Sequence, residues 1–319
     1  MRAMSFQRFG GPEVLELVEL PEPTPGPDQV SIRVVAASVN PIDWKRASGR
    51  MRLVMPVTFP NVPGYDVAGE VVGVGPGVTG FAVGDRVHAR LLQGQGAACA
   101  EFTVAGVGVT AHVPAGMDLG EAAGMPLAGM TALQGLRDEC GLPGGGARER
   151  VLVVGASGGV GHLAVQLAVA AGAEVVGVCS GRNAALVRSL GAHEVVDYTQ
   201  PDAFRDQRPF DVVLDCVGGS PSAWTPRLAP GGRFASTMPG PSVFLRSFVN
   251  ALTSARVRPV LLKPNAADLR ALDELVVAGK LRVVVDSRFP LSDLKGAWER
   301  SVSGRAAGKI VIDVAPPST

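Results

Sequence analysis

The chain has 319 residues, 46% hydrophobic and 18% charged, so it can bury a large core, and a disordered chain is excluded. Its 30 basic residues balance 29 acidic ones, and the 25 arginines among them are spread along the chain with no basic tail or stripe. That pattern excludes nucleic acid as the main partner. A chain of this length is expected to split into two domains.

Gly 41 and Pro 25 together make about a fifth of the sequence, against ~12% in average usage. The excess has no triplet period, so it marks tight turns rather than collagen. The first third reads as β structure. Val14–Leu20 alternates in part and stops at the run PEPTPGP. Val30–Ser38 is a strand, and Val67–Val74 and Arg86–Leu91 are two more, separated by glycine turns. With no strand–helix rhythm here, antiparallel, barrel-like packing fits best.

The middle third changes character. Ala122–Leu136 is an apolar helix candidate broken near its start by Pro126, and a connector follows at Gly141–Gly146. Strands at Arg150–Val154, Glu174–Cys179, Glu194–Tyr198, Asp211–Cys216 and Arg233–Thr237 then appear, with helices at Gly158–Ala171 and Asn183–Leu190. Strands alternating with helices imply parallel pairing in a doubly wound sheet. The tail returns to a mixture: helices Ala267–Ala278 and Leu291–Ser303, the strand KIVIDV at Lys309–Val314, and a last segment Ala315–Thr319 expected to fray.

Cys99, Cys140, Cys179 and Cys216 form no CxxC pair, and the four histidines are scattered. This fits reduced thiols in a cytoplasmic protein better than a zinc ribbon or a disulfide framework. The first 20 residues contain no uninterrupted apolar segment of the signal-peptide kind. Val151–Cys179 is the most apolar stretch, but His162, Gln166, Glu174 and its glycines break it into strand, turn, helix and strand, so no membrane span is expected.

The strand Val151–Val154 runs into Gly155-Ala156-Ser157-Gly158-Gly159-Val160-Gly161 and then a helix. Glycines at a strand-to-helix turn let backbone approach a pyrophosphate, and the helix start offers unpaired N–H groups. The spacing is GxxGxxG, and its place inside a βαβ unit gives the motif its weight. An NAD site carries an acid at the end of the next strand to hold the ribose hydroxyls. Here that strand ends Cys179-Ser180-Gly181-Arg182, without an acid. Ser180, Arg182 and Tyr198 are instead candidates for a 2′-phosphate, which makes NADPH the expected cofactor. An arginine at a helix start also opposes the dipole, which a local anion would explain.

Eight motifs in order carry a resemblance to the medium-chain dehydrogenase/reductase superfamily, and within it to the zinc-free quinone oxidoreductase and enoyl reductase branch. They are Ala37–Asp43, Pro63–Glu70, Gly84–Val87, Gly129–Ala132, the turn Gly155–Gly161, Asp215–Gly219, Pro230–Arg233 and Gly308–Val311. The resemblance covers nearly the whole chain. It implies a GroES-like β-barrel catalytic domain over 1–122 and 264–319, an inserted doubly wound Rossmann domain over 123–263, and a homodimer formed through the Rossmann domains, for which the apolar run Val257–Leu262 offers a sheet edge to its symmetry mate. It also implies a cofactor-binding set of Thr131, Ser157, Gly158, Gly159, Val160, Ser180, Arg182, Tyr198 and Lys309. In zinc alcohol dehydrogenases two of the metal ligands fall at positions that are here near Ser38 and at Tyr65, and a four-cysteine lobe falls near Arg90–Ala100, where this chain has only Cys99. No metal site is therefore expected.

Without a Lewis acid, hydride transfer remains feasible to an already electrophilic double bond. Quinones, enones, enals and enoyl thioesters all pass the arriving charge to an oxygen that needs a hydrogen-bond donor. Asn40 and Tyr65 are the candidate catalytic residues. Asp43, Trp44 and Lys45 would shape the pocket mouth, although Lys45 and Arg46 also read as a solvated face, and Asp66 as a structural turn residue. The substrate is expected to be a small molecule: a quinone or activated C=C bond, with an acyl thioester on CoA or a carrier as the alternative. In that alternative the arginines of Arg246–Arg258 would meet a CoA phosphate. A non-catalytic NADPH-binding regulator is a third reading.

Overall fold

A computed structural model describes residues 1–92, 97–143, 148–248 and 255–315. The chain forms two compact units, the first built from Met1–Leu127, Pro264–Val277 and Val283–Thr319, the second from Ala128–Lys263 and Ala278–Arg282. Two boundaries differ from the expected ones. The first unit reaches Leu127 rather than 122, because a helix at Leu119–Gly124 packs on strands of that unit. Ala278–Arg282, expected in the returning tail, belongs to the second unit. There the Gln166 amide holds the Arg282 backbone from both sides, donating to its carbonyl at 2.9 Å and accepting its N–H at 2.9 Å.

Strands β1 (Arg2–Ser5) and β2 (Glu16–Glu19) pair antiparallel at the start of the chain. Next come β3 (Gln29–Val39), helix α1 (Pro41–Ala47), β4 (Asp66–Val74), β5 (Arg86–Arg90), β6 (Phe102–Gly106) and β7 (Thr110–His112). Helices α2 (Leu119–Gly124) and α3 (Pro126–Gln134) are separated at Met125, just before Pro126, which cannot donate a helical hydrogen bond. The second unit runs β8 (Arg150–Val154), α4 (Gly161–Ala170), β9 (Glu174–Cys179), α5 (Ala184–Ser189), β10 (Glu194–Asp197), β11 (Phe210–Asp215), β12 (Leu228–Ser236), α6 (Pro241–Phe248) and β13 (Arg256–Pro259). The chain closes with α7 (Ala266–Val277), β14 (Val285–Pro290), α8 (Leu294–Val302) and β15 (Lys309–Asp313).

In the first unit the sheet order is β14-β15-β3-β4-β5-β7, with β6 also on β3. All of its pairings are antiparallel except β14 with β15. Strand β3 is the hub, and its middle and end are buried on both faces. Leu294, Ala297 and Trp298 form the apolar stripe of α8 that joins this core. Ser292, a possible cap in the sequence, is not the cap; Asp293 accepts the Gly296 N–H.

The second unit is a six-stranded parallel sheet in the order β10-β9-β8-β11-β12-β13. The order reverses at β8, and a doubly wound sheet binds its ligand beyond the strand ends at such a switch point. Strand β8 is buried throughout, as a central parallel strand should be. Among the described residues, no helix is long and apolar enough to cross a membrane. The connector Gly141–Gly146 lies partly outside the described residues, as do parts of Arg246–Arg258, Arg90–Ala100 and Ala315–Thr319.

Candidate active site

The glycine turn follows β8 at the switch point. Helix α4 starts at Gly161, not at Gly158 as the sequence suggested, because Gly155–Val160 are spent on the turn. Gly155 has φ +76°, and a Cβ there would stand 2.6 Å from Val217 Cγ2. A Cβ on Gly161 would meet the Gly155 carbonyl oxygen at 2.1 Å. The turn is pinned by the Gly155 and Ala156 N–H groups, which both donate to the Val178 carbonyl, at 3.1 and 2.9 Å. Among the described residues, no main-chain acceptor takes the N–H groups of Ser157, Gly159 or Val160. These donors, with the positive end of α4, form a cradle that fits a pyrophosphate.

The second turn follows β9. Ser180-Gly181-Arg182-Asn183 closes through the Asn183 N–H, which donates to the Ser180 carbonyl at 2.9 Å. Asn183 Nδ2 donates to Ser157 Oγ at 2.9 Å, so the two turns are joined. Arg182 is exposed and has no carboxylate partner among the described residues. Tyr198 follows β10 and is 63% exposed. Thr131 is buried in α3. Ser157, Gly158, Gly159, Val160, Ser180, Arg182, Tyr198 and Thr131 thus all belong to the second unit, whereas Lys309 belongs to the first.

Lys309 opens β15, is 2% exposed, and enters a buried polar cluster. Its Nζ donates to Asn40 Oδ1 at 2.5 Å and lies 3.7 Å from Asp66 Oδ2. Asp66, fully buried at the start of β4, also accepts Asn40 Nδ2 at 2.9 Å and Ser38 Oγ at 3.2 Å on Oδ2, and the Leu127 N–H at 3.0 Å on Oδ1. The residue that read as a turn element is therefore the hub of this network. Asn40 is 2% exposed, and both ends of its amide are engaged within the unit. Tyr65 is 1% exposed, with the Arg90 guanidinium 4.3 Å and that of Arg46 6.0 Å from its ring centroid. Its buried hydroxyl has no partner in hydrogen-bonding geometry, and burial pushes its pKa up, so it stays protonated at neutral pH.

Residues 26–158 match the alcohol dehydrogenase GroES-like domain, and residues 190–312 match a domain described as zinc-binding dehydrogenase. A chloroplast envelope quinone oxidoreductase homolog of Arabidopsis thaliana is 42% identical, with 98% of each chain covered. The chain belongs to the medium-chain dehydrogenase/reductase family. A chloroplastic NADPH-dependent alkenal/one oxidoreductase of the same plant is 35% identical over 98% of this chain and 79% of the relative. The solved structure of a quinone oxidoreductase from Coxiella burnetii superposes with TM-score 0.88, at 33% identity and 99% coverage of both chains.

This medium-chain reductase is an oxidoreductase with a GroES-like unit and a Rossmann unit. The expected cytoplasmic location is overturned, because curated relatives at 38–42% identity are named as chloroplast proteins. Free thiols, three of the four buried, fit any reducing compartment, so cysteine usage could not make that distinction. One matched domain is described as zinc-binding, yet the donor set here does not fit zinc. Zinc takes three or four N, S or O ligands. Here Ser38 and Tyr65 flank Asp66, whose carboxylate is already taken by Lys309 and three hydrogen-bond donors. Among the described residues, no three His, Cys, Asp or Glu side chains group closely enough to hold an ion.

Two further residues were undervalued in the sequence. Lys45 on α1 is half-buried, its Nζ lies 5.5 Å from the Trp44 ring centroid, and it has no carboxylate partner among the described residues. Burial first, and Arg50 second, lower its pKa. Asp43, also on α1, accepts the Asn40 N–H at 2.7 Å on Oδ2, while buried Oδ1 has no partner. Desolvation, with Asp66 adding repulsion against the attraction of Lys309 and Arg90, raises its pKa to about 7.

Asp43 gives the fold a pH dependence. Its folded pKa lies above the unfolded value, so the native state binds the extra proton between about pH 4 and 7. Stability from this group is therefore present at acid pH and is lost as pH rises through about 7. At 1.36 kcal/mol per unit the loss reaches as much as about 4 kcal/mol. Asp43→Asn keeps an acceptor for Asn40 and should flatten this decline. Urea unfolding at pH 4.5 and 8.5, which brackets most of that fall, checks it; an equal stability change in wild type and Asp43→Asn would show that Asp43 is ionised throughout.

Proposed function

We propose that this chain is an NADPH-dependent, zinc-independent reductase of quinones and of enones or enals. The Asp66 cluster carries the reading. A buried ammonium faces the carboxylate, and the neighbouring positions hold a serine and a tyrosine instead of metal ligands. The substrate must then bring its own electrophilic double bond. The names of the quinone and alkenal/one oxidoreductase relatives support this choice, and the second supports NADPH.

The N–H groups of Ser157, Gly159 and Val160 would hold the pyrophosphate, and Ser180, Arg182 and Tyr198 the 2′-phosphate half. NADPH bound there supplies a hydride. Asn40, with its amide fixed by Lys309 and Asp66, and Tyr65, with its ring held at Arg90, set the shape of the first unit's site. Because both are buried, the donor to a substrate oxygen is assigned to Lys45, which is accessible and lacks a competing carboxylate. An ammonium there meets the charge that hydride arrival places on an enone or quinone oxygen. One proton then completes the reduction, on the α-carbon of an enone or on an oxygen of a quinone.

Steady-state NADPH oxidation against quinones, enals and enoyl-CoA esters tests the reading. Quinones and enals should turn over at undiminished rate in chelator, and elemental analysis should find no stoichiometric zinc. One zinc per chain, lost together with activity, would overturn it. Exclusive use of enoyl-CoA would move the assignment to the thioester alternative. The partner proposed is a small molecule, with neither nucleic acid nor a membrane span involved. A homodimer is also proposed, because β13 is an open edge of its sheet and Leu261 beyond it is exposed. Light scattering at micromolar concentration should give twice the chain mass; a monomer would refute it.

A further inference from the structure

We propose that Asn183 and Asp197 act as the two jaws of a clamp that holds the Ser180–Asn183 turn ready for the 2′-phosphate, making both of them positioning residues for cofactor discrimination. The inference rests on the NADPH reading and extends it to residues that would not touch the phosphate.

One jaw is the Asn183 amide, which reaches Ser157 Oγ at 2.9 Å and ties the turn to the phosphate turn. The other is Asp197 at the end of β10, paired with Cys179 at the end of β9. Its carboxylate accepts the Thr199 N–H at 3.0 Å and the Thr199 hydroxyl at 2.8 Å, with the Gln200 amide at 3.3 Å. The Gly181 backbone packs against this carboxylate, which gives the turn its second hold. These donors, the Thr199 N–H first, keep its pKa low, so it is ionised at neutral pH. The approach is close enough that a Cβ on Gly181 would lie 2.5 Å from Asp197 Oδ2.

Among the described residues, no hydrogen bond or ion pair engages the side chains of Ser180 and Arg182, a hydroxyl and a guanidinium suited to an anion. Preorganising such donors lowers the ordering cost of binding. A clamp that acts on this turn affects ligands carrying the 2′-phosphate and spares those that lack it. A residue that merely stabilised the fold would affect both alike.

Titration calorimetry with NADPH, NADH and adenosine 2′,5′-bisphosphate tests this on the whole protein. The variants are Asn183→Ala, Ser157→Ala, their combination, and Gly181→Ala, each checked for an unchanged melting curve. Losing one neutral hydrogen bond is expected to weaken NADPH and the bisphosphate about 3- to 10-fold. NADH should move less than twofold. The combined variant should be no weaker than the weaker single, because both remove one bond. Gly181→Ala should lose the same preference by opening the other jaw, and stands in if Asn183→Ala does not fold. Equal weakening of NADPH and NADH, or full additivity, would overturn the clamp while Arg182→Ala still erased the preference. A wild type that binds NADH as tightly as NADPH and ignores the bisphosphate would overturn the cofactor reading itself, and the clamp with it.

Discussion

Asp66→Ala should lower the stability of the protein by about 3–5 kcal/mol, the cost of leaving a buried charge without its counter-ion. The substitution strips the acceptor from Lys309, Asn40, Ser38 and the Leu127 N–H together. Lys309 is buried away from solvent, and burial already depresses its pKa. A double variant, Asp66→Leu with Lys309→Met, removes both charges and should recover part of the loss. Thermal or urea unfolding of the two variants reads the difference. If the double variant is as unstable as Asp66→Ala, the damage comes from lost packing and the ion pair is not what holds these segments. The same pair tests function, because Asn40 loses its orientation in both.

The sequence made the second unit legible because its signals are local. The strand–glycine–helix order around Gly155–Gly161 needs only the neighbouring residues to be read, and the parallel sheet follows from the rhythm. The end of β9 was readable in the same way, through a missing acid. The first unit's site was not, because its network is long-range. Lys309 meets Asn40 across most of the chain, and nothing in the KIVIDV run distinguishes a cofactor contact from a buried counter-ion. Asp66 read as a turn residue for the same reason: four donors from three separate segments converge on it only after β3, β4, β15 and α3 are assembled. Lys45 and Arg46 read alike as a solvated pair, yet α1 buries Arg46 and leaves Lys45 half-exposed. Short β6 and β7 escaped notice because too few residues alternate to show a period. Asn183 and Asp197 gave no signal, since each acts on a turn that belongs to another strand.

Arg182→Ala should erase most of the preference for NADPH over NADH. Arg182 stands exposed in a turn held through Asn183, with no carboxylate partner among the described residues to compete for it. A charge-assisted hydrogen bond contributes roughly 1.5–3 kcal/mol. At 1.4 kcal/mol per decade, its loss weakens NADPH about 10- to 150-fold. NADH has no 2′-phosphate, so its KM should barely move. Alanine is the informative replacement, because lysine would still offer a point charge. Ser180→Ala should act in the same direction more weakly, since only a neutral donor is lost. The charge term also predicts a salt dependence: raising ionic strength should narrow the wild-type preference and leave Arg182→Ala unchanged. KM values for both cofactors at low and high salt decide the matter. If Arg182→Ala weakens NADPH and NADH equally, the guanidinium supports the turn instead of the phosphate, and Tyr198 becomes the residue to replace next.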